Sequence, residues 1–468
     1  MLAPLGFLST ELGDIEVVVH DGRLHAFHLC LPNHDRIAHW VSDDGIDWEA
    51  RPDALRTGDA GSFDDDQLWT MSVTPHEGRF VMLYTALSRA DGGRVQRIGR
   101  ASSDDLERWT KDPEPVAVAR APHYETIPGR SAPWVAFRDP KPTAVEGGFA
   151  VVVTAQAPAG PPHRRGVIGH LRSDDLRTFT LEPPLFAPRR AFELECPQVV
   201  ATDHGFVMLA SLQDDRSIRW FHADALEGPW RTAGHSVLLP APHYAARVFA
   251  DAEGFGIAST YRYHDARGRL HHGMPTPLRL DLSQPGQATL RPWGPMLRRF
   301  HPEPEPLDCT TPCFDNATAT REGSRFTVTS GEALWTSTDR HRDVRAQAHL
   351  HCEAPRFGLA FDLDADGSGW FVELEPMLRR ARLIRRGHAP DPEGMPWFEH
   401  RVAQSATWLP GPSGGHALDL ILLGPEVRLC IDDVVVLSAA VDRAEGTVGV
   451  WLESGQLDGH VTVMKKPD

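Results

Sequence analysis

The chain has 468 residues, of which 41% are hydrophobic and 24% are charged, and this ordinary globular composition at this length predicts two domains. Its formal net charge of −16 argues against a nucleic-acid partner, which needs a basic surface. No apolar run reaches the roughly 18 residues of a membrane span, and the first residues lack the basic and long apolar stretches of a signal peptide. We therefore expect a cytoplasmic protein without membrane contact, with secretion as the open alternative.

A motif of serine, two acidic residues and a later aromatic residue recurs along the first half of the chain. It spans Ser42–Trp48, Ser103–Trp109 and Ser173–Phe179, and a weaker copy spans Asp224–Trp230. Serine and aspartate side chains accept hydrogen bonds from nearby backbone N–H groups, so we interpret these acids as turn residues that face solvent. We interpret Asp64-Asp65-Asp66 in a similar way, as a solvated loop and not a metal site.

Five strand–turn–strand patterns with a glycine near the turn interleave with this motif, as is typical of β-hairpins. They span Ile15–Phe27, Ser72–Tyr84, Lys141–Val153, Val199–Leu209 and Arg247–Ile257. Each hairpin together with its neighbouring motif predicts a four-stranded sheet, which cannot bury both of its faces alone. Radial packing of five such sheets buries them, so we predict an all-β fold that begins with a five-bladed β-propeller over residues 1–296.

The sequence changes in character after Met296. The segment His301–Pro306 alternates proline with acidic residues or histidine, which indicates a stiff linker, predicted at residues 297–317. Short alternating strands such as Phe326–Thr329 then predict a C-terminal β-sandwich over residues 318–468.

The cysteines and histidines form no metal-binding pattern. Among the six cysteines the closest pair is Cys309 and Cys313, and no second matching pair accompanies it, so we interpret these residues as free thiols. The 24 histidines are scattered and include no HExxH motif. We predict no metal ion and no organic cofactor.

Three acidic residues occupy similar places in their repeat units. Asp14 and Asp139 each lie eight residues before the glycine of their hairpin, and Glu195 lies ten residues before its own. Equivalent positions in a propeller surround one axis, so these carboxylates are predicted to converge at one end of the channel. Two carboxylates that flank a glycosidic bond are what glycoside hydrolysis needs. The alternative interpretation is that each acid only caps a turn.

The same residues stand in longer motifs. Arg138-Asp139-Pro140 and Glu195-Cys196-Pro197 belong to different repeat units and resemble the RDP and ECP motifs of glycoside hydrolase family 32, the invertase and fructanase family. Further segments resemble the HLFY, WSGS and GHAVS…HWE stretches of that family: His25–His28, Trp69–Ser72, and Ile37–Ser42 with Trp48-Glu49. The resemblance covers residues 1 to about 295, and the C-terminal region is more loosely similar to the family's β-sandwich.

The sequence departs from the family pattern around the sugar pocket. Where the family has WMNDPNG, this chain has Leu12–Glu16, which keeps only the aspartate. Leu29 replaces the glutamine that ends the HLFYQ strand, and Met71 replaces the glycine of WSGS.

The resemblance implies a retaining hydrolase of a terminal furanoside, of the β-fructofuranosidase type, acting on a small carbohydrate. It implies Asp14 as nucleophile, Glu195 as general acid/base and Asp139 as transition-state stabiliser. It also implies these substrate-binding residues: Arg138, Trp40, Trp69, Thr70 and Cys196.

Other functions are compatible with the same residues. Families 43 and 68 share the propeller, and the arabinanases and xylosidases of family 43 also share three acids but invert the anomeric configuration. A fructosyltransferase, a propeller that binds sugar without cleaving it, and a purely structural scaffold are the remaining alternatives. The C-terminal sandwich shows no catalytic set, and a contact between two copies of the chain is one possible role for it.

Overall fold

A computed structural model describes residues 12–130, 132–232, 236–264, 269–307, 311–314, 319–390, 396–408 and 415–467. These residues are nearly all in strands and turns, apart from one short α-helix, α1 (Gly294–Leu297), and three 3-10 turns at Arg89–Asp91, Pro162–Arg164 and Pro376–Leu378. None of the helices in the described ranges has the length and apolarity needed to cross a membrane. Cys309 lies outside the described residues, as does the side chain of Cys313, so the thiol prediction for this pair is not tested.

The chain divides into two compact units. The first comprises Met1–Arg262 and Leu270–Thr289, and the second comprises Tyr263–Arg269 and Leu290–Asp468.

Five antiparallel sheets follow one another in the first unit. The first sheet has the strands β1 (Leu12–His20), β2 (Arg23–Cys30), β3 (Arg36–Ser42) and β4 (Glu49–Arg56). The second has β5 (Gln67–His76), β6 (Arg79–Leu87), β7 (Arg97–Ser103), β8 (Thr110–Lys111) and β9 (Ala117–Val118). The third has β10 (Phe137–Val145), β11 (Gly148–Gln156), β12 (Gly166–Ser173) and β13 (Thr180–Phe186).

The last two sheets repeat this plan. The fourth has β14 (Leu194–Thr202), β15 (Gly205–Leu212), β16 (Ile218–Ala223) and β17 (Val237–Leu239). The fifth has β18 (His243–Asp251), β19 (Gly254–His264), β20 (Leu270–Gly273), β21 (Leu278–Asp281) and β22 (Thr289–Arg291). The first strands of the sheets contact one another in the cyclic order β1, β5, β10, β14, β18 and back to β1. A closed ring of five sheets around these inner strands confirms the predicted five-bladed propeller.

Local sequence explains the hairpins. The turns Asp21-Gly22 and Glu77-Gly78 each place two successive residues at positive φ, at 50° and 74° and at 51° and 75°. This is the type I′ geometry that suits the twist of a two-residue hairpin. Apolar faces of neighbouring blades then pack together, for example through Phe27 and Tyr84 between the first and second blades.

The serine–aspartate motifs are turn caps, as predicted. The Ser42 Oγ accepts a hydrogen bond from the Gly45 backbone N–H at 2.8 Å, and the Asp44 Oδ1 accepts from the Ile46 N–H, also at 2.8 Å. In the second blade the Asp105 Oδ1 accepts from the backbone N–H groups of Glu107 and Arg108.

The hydrogen bonds from the backbone N–H groups of Arg108 and Glu107 lower the pKa of Asp105 to about 2, and the bond from Arg108 contributes most. We expect Asp105→Ala to lower the free energy of unfolding by about 1 kcal/mol at pH 7, the usual cost of losing a capping side chain. The folded-state pKa lies below the unfolded value of about 4, so this contribution is present above pH 4 and is lost as the pH falls towards 2. Urea unfolding at pH 7 and pH 3 measures both effects.

The neighbouring Asp104 supplies a matched control. Its exposed carboxylate pairs with the Arg79 Nε at 2.5 Å, and an exposed ion pair of this kind contributes little. We expect Asp104→Ala to leave stability almost unchanged, and equal losses in the two variants would contradict the capping role.

The predicted solvated loop at Asp64-Asp65-Asp66 is wrong for its first two residues, because both side chains are buried. The Asp64 Oδ2 accepts hydrogen bonds from the Tyr84 hydroxyl at 3.0 Å and from the Lys111 Nζ at 2.6 Å. Asp65 accepts from the Arg89 backbone N–H at 2.9 Å. These partners come from later strands and loops, so the loop sequence alone could not indicate the burial.

The second unit is one large antiparallel sheet. Its first strands are β23 (Glu305–Pro306), β24 (Thr311–Phe314), β25 (Ala319–Glu322), β26 (Arg325–His341), β27 (Val344–Glu353), β28 (Arg356–Leu363) and β29 (Gly369–Glu375). The others are β30 (Arg380–Pro390), β31 (Pro396–Thr407), β32 (Gly415–Leu423), β33 (Glu426–Ile431), β34 (Val434–Ala440) and β35 (Gly446–Lys465). Strands β23 and β24 fall within residues 297–317 and pair with β35 and β26.

The two ends of the main strand path of this sheet meet. The order β31-β30-β29-β28-β35-β27-β32-β33-β34 returns on itself, and the Gln404 amide of β31 bonds both backbone groups of Ser438 in β34 at 2.8 Å. The sheet therefore faces itself across an apolar core, which confirms the predicted C-terminal β-sandwich.

Candidate active site

Each inner strand of the propeller is irregular at one equivalent position, where the pairing with the next strand shifts register. The position lies six residues before the last paired residue of each hairpin, which is His20, His76, Val145, Thr202 or Asp251. It is occupied by Asp14, Thr70, Asp139, Cys196 and Ala245. Such bulges turn side chains away from the regular strand alternation, here at the same level of all five inner strands.

The position of Glu195 corrects one detail of the sequence analysis. The turn of the fourth hairpin is Asp203-His204, and Gly205 is already the first residue of β15. Counting from the glycine therefore misaligns this unit, and Cys196 occupies the position equivalent to Asp14 and Asp139. Glu195 precedes it by one residue, as Arg138 precedes Asp139.

Side chains from three blades meet at Asp14, which is partly buried. The Thr70 Oγ1 of the second blade donates a hydrogen bond to the Asp14 Oδ2 at 2.5 Å. The Cys196 Sγ of the fourth blade lies 3.5 Å from the same oxygen and also donates to it. These contacts hold one carboxylate oxygen in place.

Asp139 is buried and rigidly held. Its φ of 59° is in the left-handed region, and its backbone N–H donates to the Thr85 Oγ1 at 3.0 Å. Its Oδ2 accepts from the Thr154 Oγ1 at 2.7 Å and from the Cys196 backbone N–H at 2.9 Å. An uncommon backbone conformation fixed by several hydrogen bonds is typical of a functional position.

Glu195 has an environment that suits proton transfer. The Arg138 Nη2 donates to its Oε1 at 2.5 Å, and the Tyr244 hydroxyl donates to its Oε2. Burial raises the pKa of Glu195 to about 7; the Arg138 charge opposes this, while the charges of Asp139, Glu193 and Asp14 add to it. A carboxyl with this pKa exchanges protons readily near neutral pH.

A second glutamate sets the position of Arg138. The fully buried Glu193 accepts from the Arg138 Nη2 at 2.5 Å, and from the Trp134 and Gln156 side chains at 3.2 Å each. Burial disfavours the charge of Arg138, but the nearby carboxylates outweigh it and raise the arginine pKa above its ordinary value.

Glu193 and Tyr244 also belong to the site, although no sequence motif identified them. Glu193 stands two residues before Glu195, and this alternation was a usable signal. Tyr244 occupies in the fifth blade the position that precedes the bulge, which only the register shows.

The structure brings together seven of the eight predicted site residues: Asp14, Thr70, Arg138, Asp139, Glu195 and Cys196 by direct contacts, and Trp69 as the neighbour of Thr70. The Trp69 ring lies 5.3 Å from the ring of His34, and its Nε1 donates to Gln67. Trp40 stands apart on β3, the third strand of its blade. It lines a small apolar cavity with Leu12, Ile15, Ala26, His28, Trp48 and Met274.

A layer of ion pairs lies behind the carboxylates. Glu16, Lys141 and Arg247 follow the bulge positions of their strands by two residues. The Lys141 Nζ bonds the Glu16 Oε1 at 2.6 Å, and the Arg247 Nε lies 3.5 Å from its Oε2. Glu16 and Arg247 are fully buried and Lys141 is largely buried, so this layer forms part of the packed interior of the propeller.

The Asp14, Asp139 and Cys196 side chains are also close enough to be considered as metal ligands. Their ligand atoms lie within 4.8 Å of one another, the only such group among the described residues. Burial, with the charges of Asp14 and Asp139, raises the pKa of the Cys196 thiol well above its usual value, so the sulfur keeps its proton. The Asp14 Oδ2 and the Asp139 Oδ2 each accept two hydrogen bonds from the protein. This arrangement suits hydrogen-bonded carboxylates better than ligands of a cation.

Residues 15–229 match the family model described as "Glycosyl hydrolases family 32 N-terminal domain". The match begins one residue after Asp14 and includes Asp139 and Glu195.

Solved structures with the same fold cover nearly the whole chain. Sucrose-6-phosphate hydrolase from Lactobacillus gasseri is 15% identical, with a TM-score of 0.70 over 98% of this chain and 94% of its own. Exo-inulinase from Aspergillus awamori is 16% identical, with a TM-score of 0.69 over 98% and 96%. A fructan 1-exohydrolase IIa variant from Cichorium intybus in complex with 1-kestose is 14% identical, with a TM-score of 0.70 over 100% and 97%.

At these identities the structures establish the fold, and the family match to the blades that carry the acidic cluster establishes the chemistry. The chain therefore matches the N-terminal domain of glycoside hydrolase family 32 over residues 15–229 and is a glycoside hydrolase.

Proposed function

We propose that this protein is a retaining exo-acting furanosidase of the β-fructofuranosidase type. The proposal rests on the different environments of two carboxyl groups. Thr70 and Cys196 hold Asp14 in place by hydrogen bonds. Burial raises the pKa of Glu195 to about 7. One carboxylate that stays available for attack and one that exchanges protons are the two groups a retaining glycosidase uses.

In the first step an Asp14 oxygen attacks the anomeric carbon of a terminal furanose. The bond to the leaving oxygen breaks, and Glu195 transfers its proton to that oxygen. The products are a covalent glycosyl ester on Asp14 and a free alcohol.

In the second step the ionised Glu195 takes a proton from a water molecule that attacks the same carbon. The ester bond to Asp14 breaks, and the sugar leaves with its original anomeric configuration. Both carboxyl groups return to their starting protonation states.

Asp139 would hold the sugar between these two groups. Its Oδ2 is occupied by Thr154 and Cys196, whereas its Oδ1 accepts no hydrogen bond from the residues that the structure describes. The free oxygen can therefore accept from ring hydroxyls, and such bonds strengthen as charge develops in the transition state.

The ion-pair layer of Glu16, Lys141 and Arg247 supports exo action on a terminal sugar, because a sugar chain would have no room to continue past the acidic residues in that direction. The names of the similar structures, a sucrose-6-phosphate hydrolase, an exo-inulinase and a fructan 1-exohydrolase, support fructose as that sugar.

We expect the wild-type protein to release fructose from sucrose, short fructo-oligosaccharides, inulin or levan, with fructose and no larger fragment as the first product of the polymers. Proton NMR of the first minutes of reaction should show fructose with retained anomeric configuration. The panel includes an aryl α-L-arabinofuranoside, and preparations of Asp14→Asn serve as blanks for contaminating activity.

Each other outcome contradicts a separate part of the proposal. Arabinose release alone would overturn the fructose assignment, and an inverted first product would overturn the nucleophile. Larger fragments from inulin would overturn exo action. Fructosyl transfer to sucrose at high concentration, in place of release, would identify a transferase.

A further inference from the structure

The second unit contains a cavity of about 180 Å³, which we call the sandwich cavity. Strands β26, β29, β30 and β31 and the turn between β28 and β29 contribute to its lining. The volume is below the roughly 300–1,000 Å³ of sites for drug-sized ligands, so it suits a single sugar ring. The lining includes these six residues: Glu332, Asp366, Ser368, Arg386, His388 and Phe398.

Phe398 gives the sandwich cavity an accessible aromatic surface, because this residue is 63% exposed. Its cross-strand partner in β30 is His388, so the two side chains lie on one face of the sheet. An exposed phenyl ring gains little from burial in the fold, whereas its flat apolar surface can stack on the C–H face of a sugar ring.

Glu332 supplies a carboxylate that the protein already orients. Its Oε2 accepts hydrogen bonds from the Trp451 Nε1 at 2.9 Å and from the Arg386 Nη1 at 3.1 Å. The guanidinium carbon of Arg386 lies 4.6 Å from the centroid of the Trp451 ring, and its Nη2 donates to Glu373 at 2.5 Å. The Glu332 Oε1 accepts no hydrogen bond within the described part of the chain, so it can accept from a sugar hydroxyl.

The turn that contributes Asp366 and Ser368 is fixed against β30. The Ser368 N–H and Oγ donate to the two Asp366 carboxylate oxygens at 2.9 and 3.0 Å, and the Oγ accepts from the His388 backbone N–H at 3.2 Å. Gly387 permits this close approach, since a Cβ at that position would lie 2.3 Å from the Ser368 Oγ. A lining that is ordered in advance loses little conformational entropy when a ligand binds.

The charges of the sandwich cavity disfavour an anion. Arg386 is the only arginine or lysine in the lining, and its charge is offset by Glu332 and Glu373. An anion would instead meet the carboxylates of Glu332 and Asp366. An aromatic ring, a carboxylate oxygen that can accept and no unpaired cation together match a neutral polyhydroxyl ligand.

We propose that the sandwich cavity binds one sugar unit of a neutral oligosaccharide or polysaccharide, as a second carbohydrate site that takes no part in cleavage. Only the choice of fructosides as probes rests on the proposed function. A polysaccharide held at this site stays close to the protein, which raises its effective concentration for further binding.

Calorimetry with 1-kestose tests the proposal in the Asp14→Asn background, where binding is measured without turnover. We expect a binding event with a Kd of the order of 1 mM that weakens at least about tenfold when Phe398→Ala removes the stacking surface. Glu332→Gln should weaken the same event about 5- to 10-fold, because the amide is a weaker acceptor than the carboxylate. Val402→Ala is the control, since Val402 is an apolar residue of the same strand that is 46% exposed and does not line the cavity.

Binding of 1-kestose that neither Phe398→Ala nor Glu332→Gln weakens would overturn the proposal. Choline is the cationic probe, and a Phe398-dependent affinity for choline above that for 1-kestose would overturn the assignment of a neutral sugar. Sugar binding that is sensitive to Phe398→Ala, with no fructoside cleaved by the wild type, would support the cavity and contradict the proposed function. Fructose release by the wild type, with no Phe398-dependent binding, would support the function and overturn the cavity.

Discussion

Asp14→Asn should lower kcat for the best substrate by about 10⁴-fold or more, the order of loss seen when a covalent catalyst loses its nucleophile. The amide cannot attack the anomeric carbon, but it keeps the shape of the carboxylate. Its oxygen can still accept the hydrogen bond from Thr70, now 2.5 Å from the Asp14 Oδ2, so the fold should be preserved. Initial rates of fructose release and the thermal unfolding midpoint measure the two effects.

The matched control is Asp174→Asn, which removes the charge of an exposed repeat acid at the third blade. This variant should retain the wild-type rate. Turnover by Asp14→Asn within about tenfold of the wild type would contradict the nucleophile assignment, since the residual catalysis from binding alone is far smaller.

Glu195→Gln should lower kcat/KM for sucrose by about 10²- to 10⁴-fold and should remove one limb of the pH profile. Burial raises the pKa of Glu195 to about 7, and the first step needs the protonated form. The wild-type kcat/KM should therefore fall as the pH rises through about 7, and this limb should vanish in the variant. The pH dependence of kcat/KM between pH 4 and 9 measures it.

Leaving-group chemistry provides the control for this variant. A fructoside with an acidic phenol as leaving group needs little proton donation, so the rate loss in Glu195→Gln should be much smaller than for sucrose. A limb near pH 7 that persists in the variant would assign the titration to another group. Equal losses on both substrates would show that Glu195 acts on binding and not on proton transfer.

Local sequence patterns are sufficient to predict the architecture of this protein. The hairpin turns, the serine–aspartate caps and the alternation of apolar residues depend on contacts between residues two to four positions apart, such as Asp105 with Glu107 and Arg108. Five copies of such a local unit can bury their faces only by radial packing, so their repetition predicts the propeller. The RDP and ECP segments also located two of the acids within it.

The chemistry of the site, in contrast, depends on contacts between distant segments. Glu195 is bonded by Arg138, 57 residues before it, and by Tyr244, 49 residues after it, and these contacts set its protonation. The one-residue difference between Glu195 and the bulge position of Cys196 depends on the register of β14 with β15, which the glycine count misread. Trp40 is assigned to the sugar pocket by its motif alone, and in the structure it lies on the third strand of its blade and lines a small apolar cavity with Leu12 and Ile15.

The same distinction holds for the residues that the motifs did not reveal. Asp64 and Asp65 are buried by partners from later strands and loops, and Tyr244 reaches Glu195 from the following blade. A local pattern specifies which backbone conformation a segment prefers, because that preference depends on its neighbours in sequence. Burial and charge depend on which distant segments pack around a side chain, and these are fixed only when the ring of five blades closes.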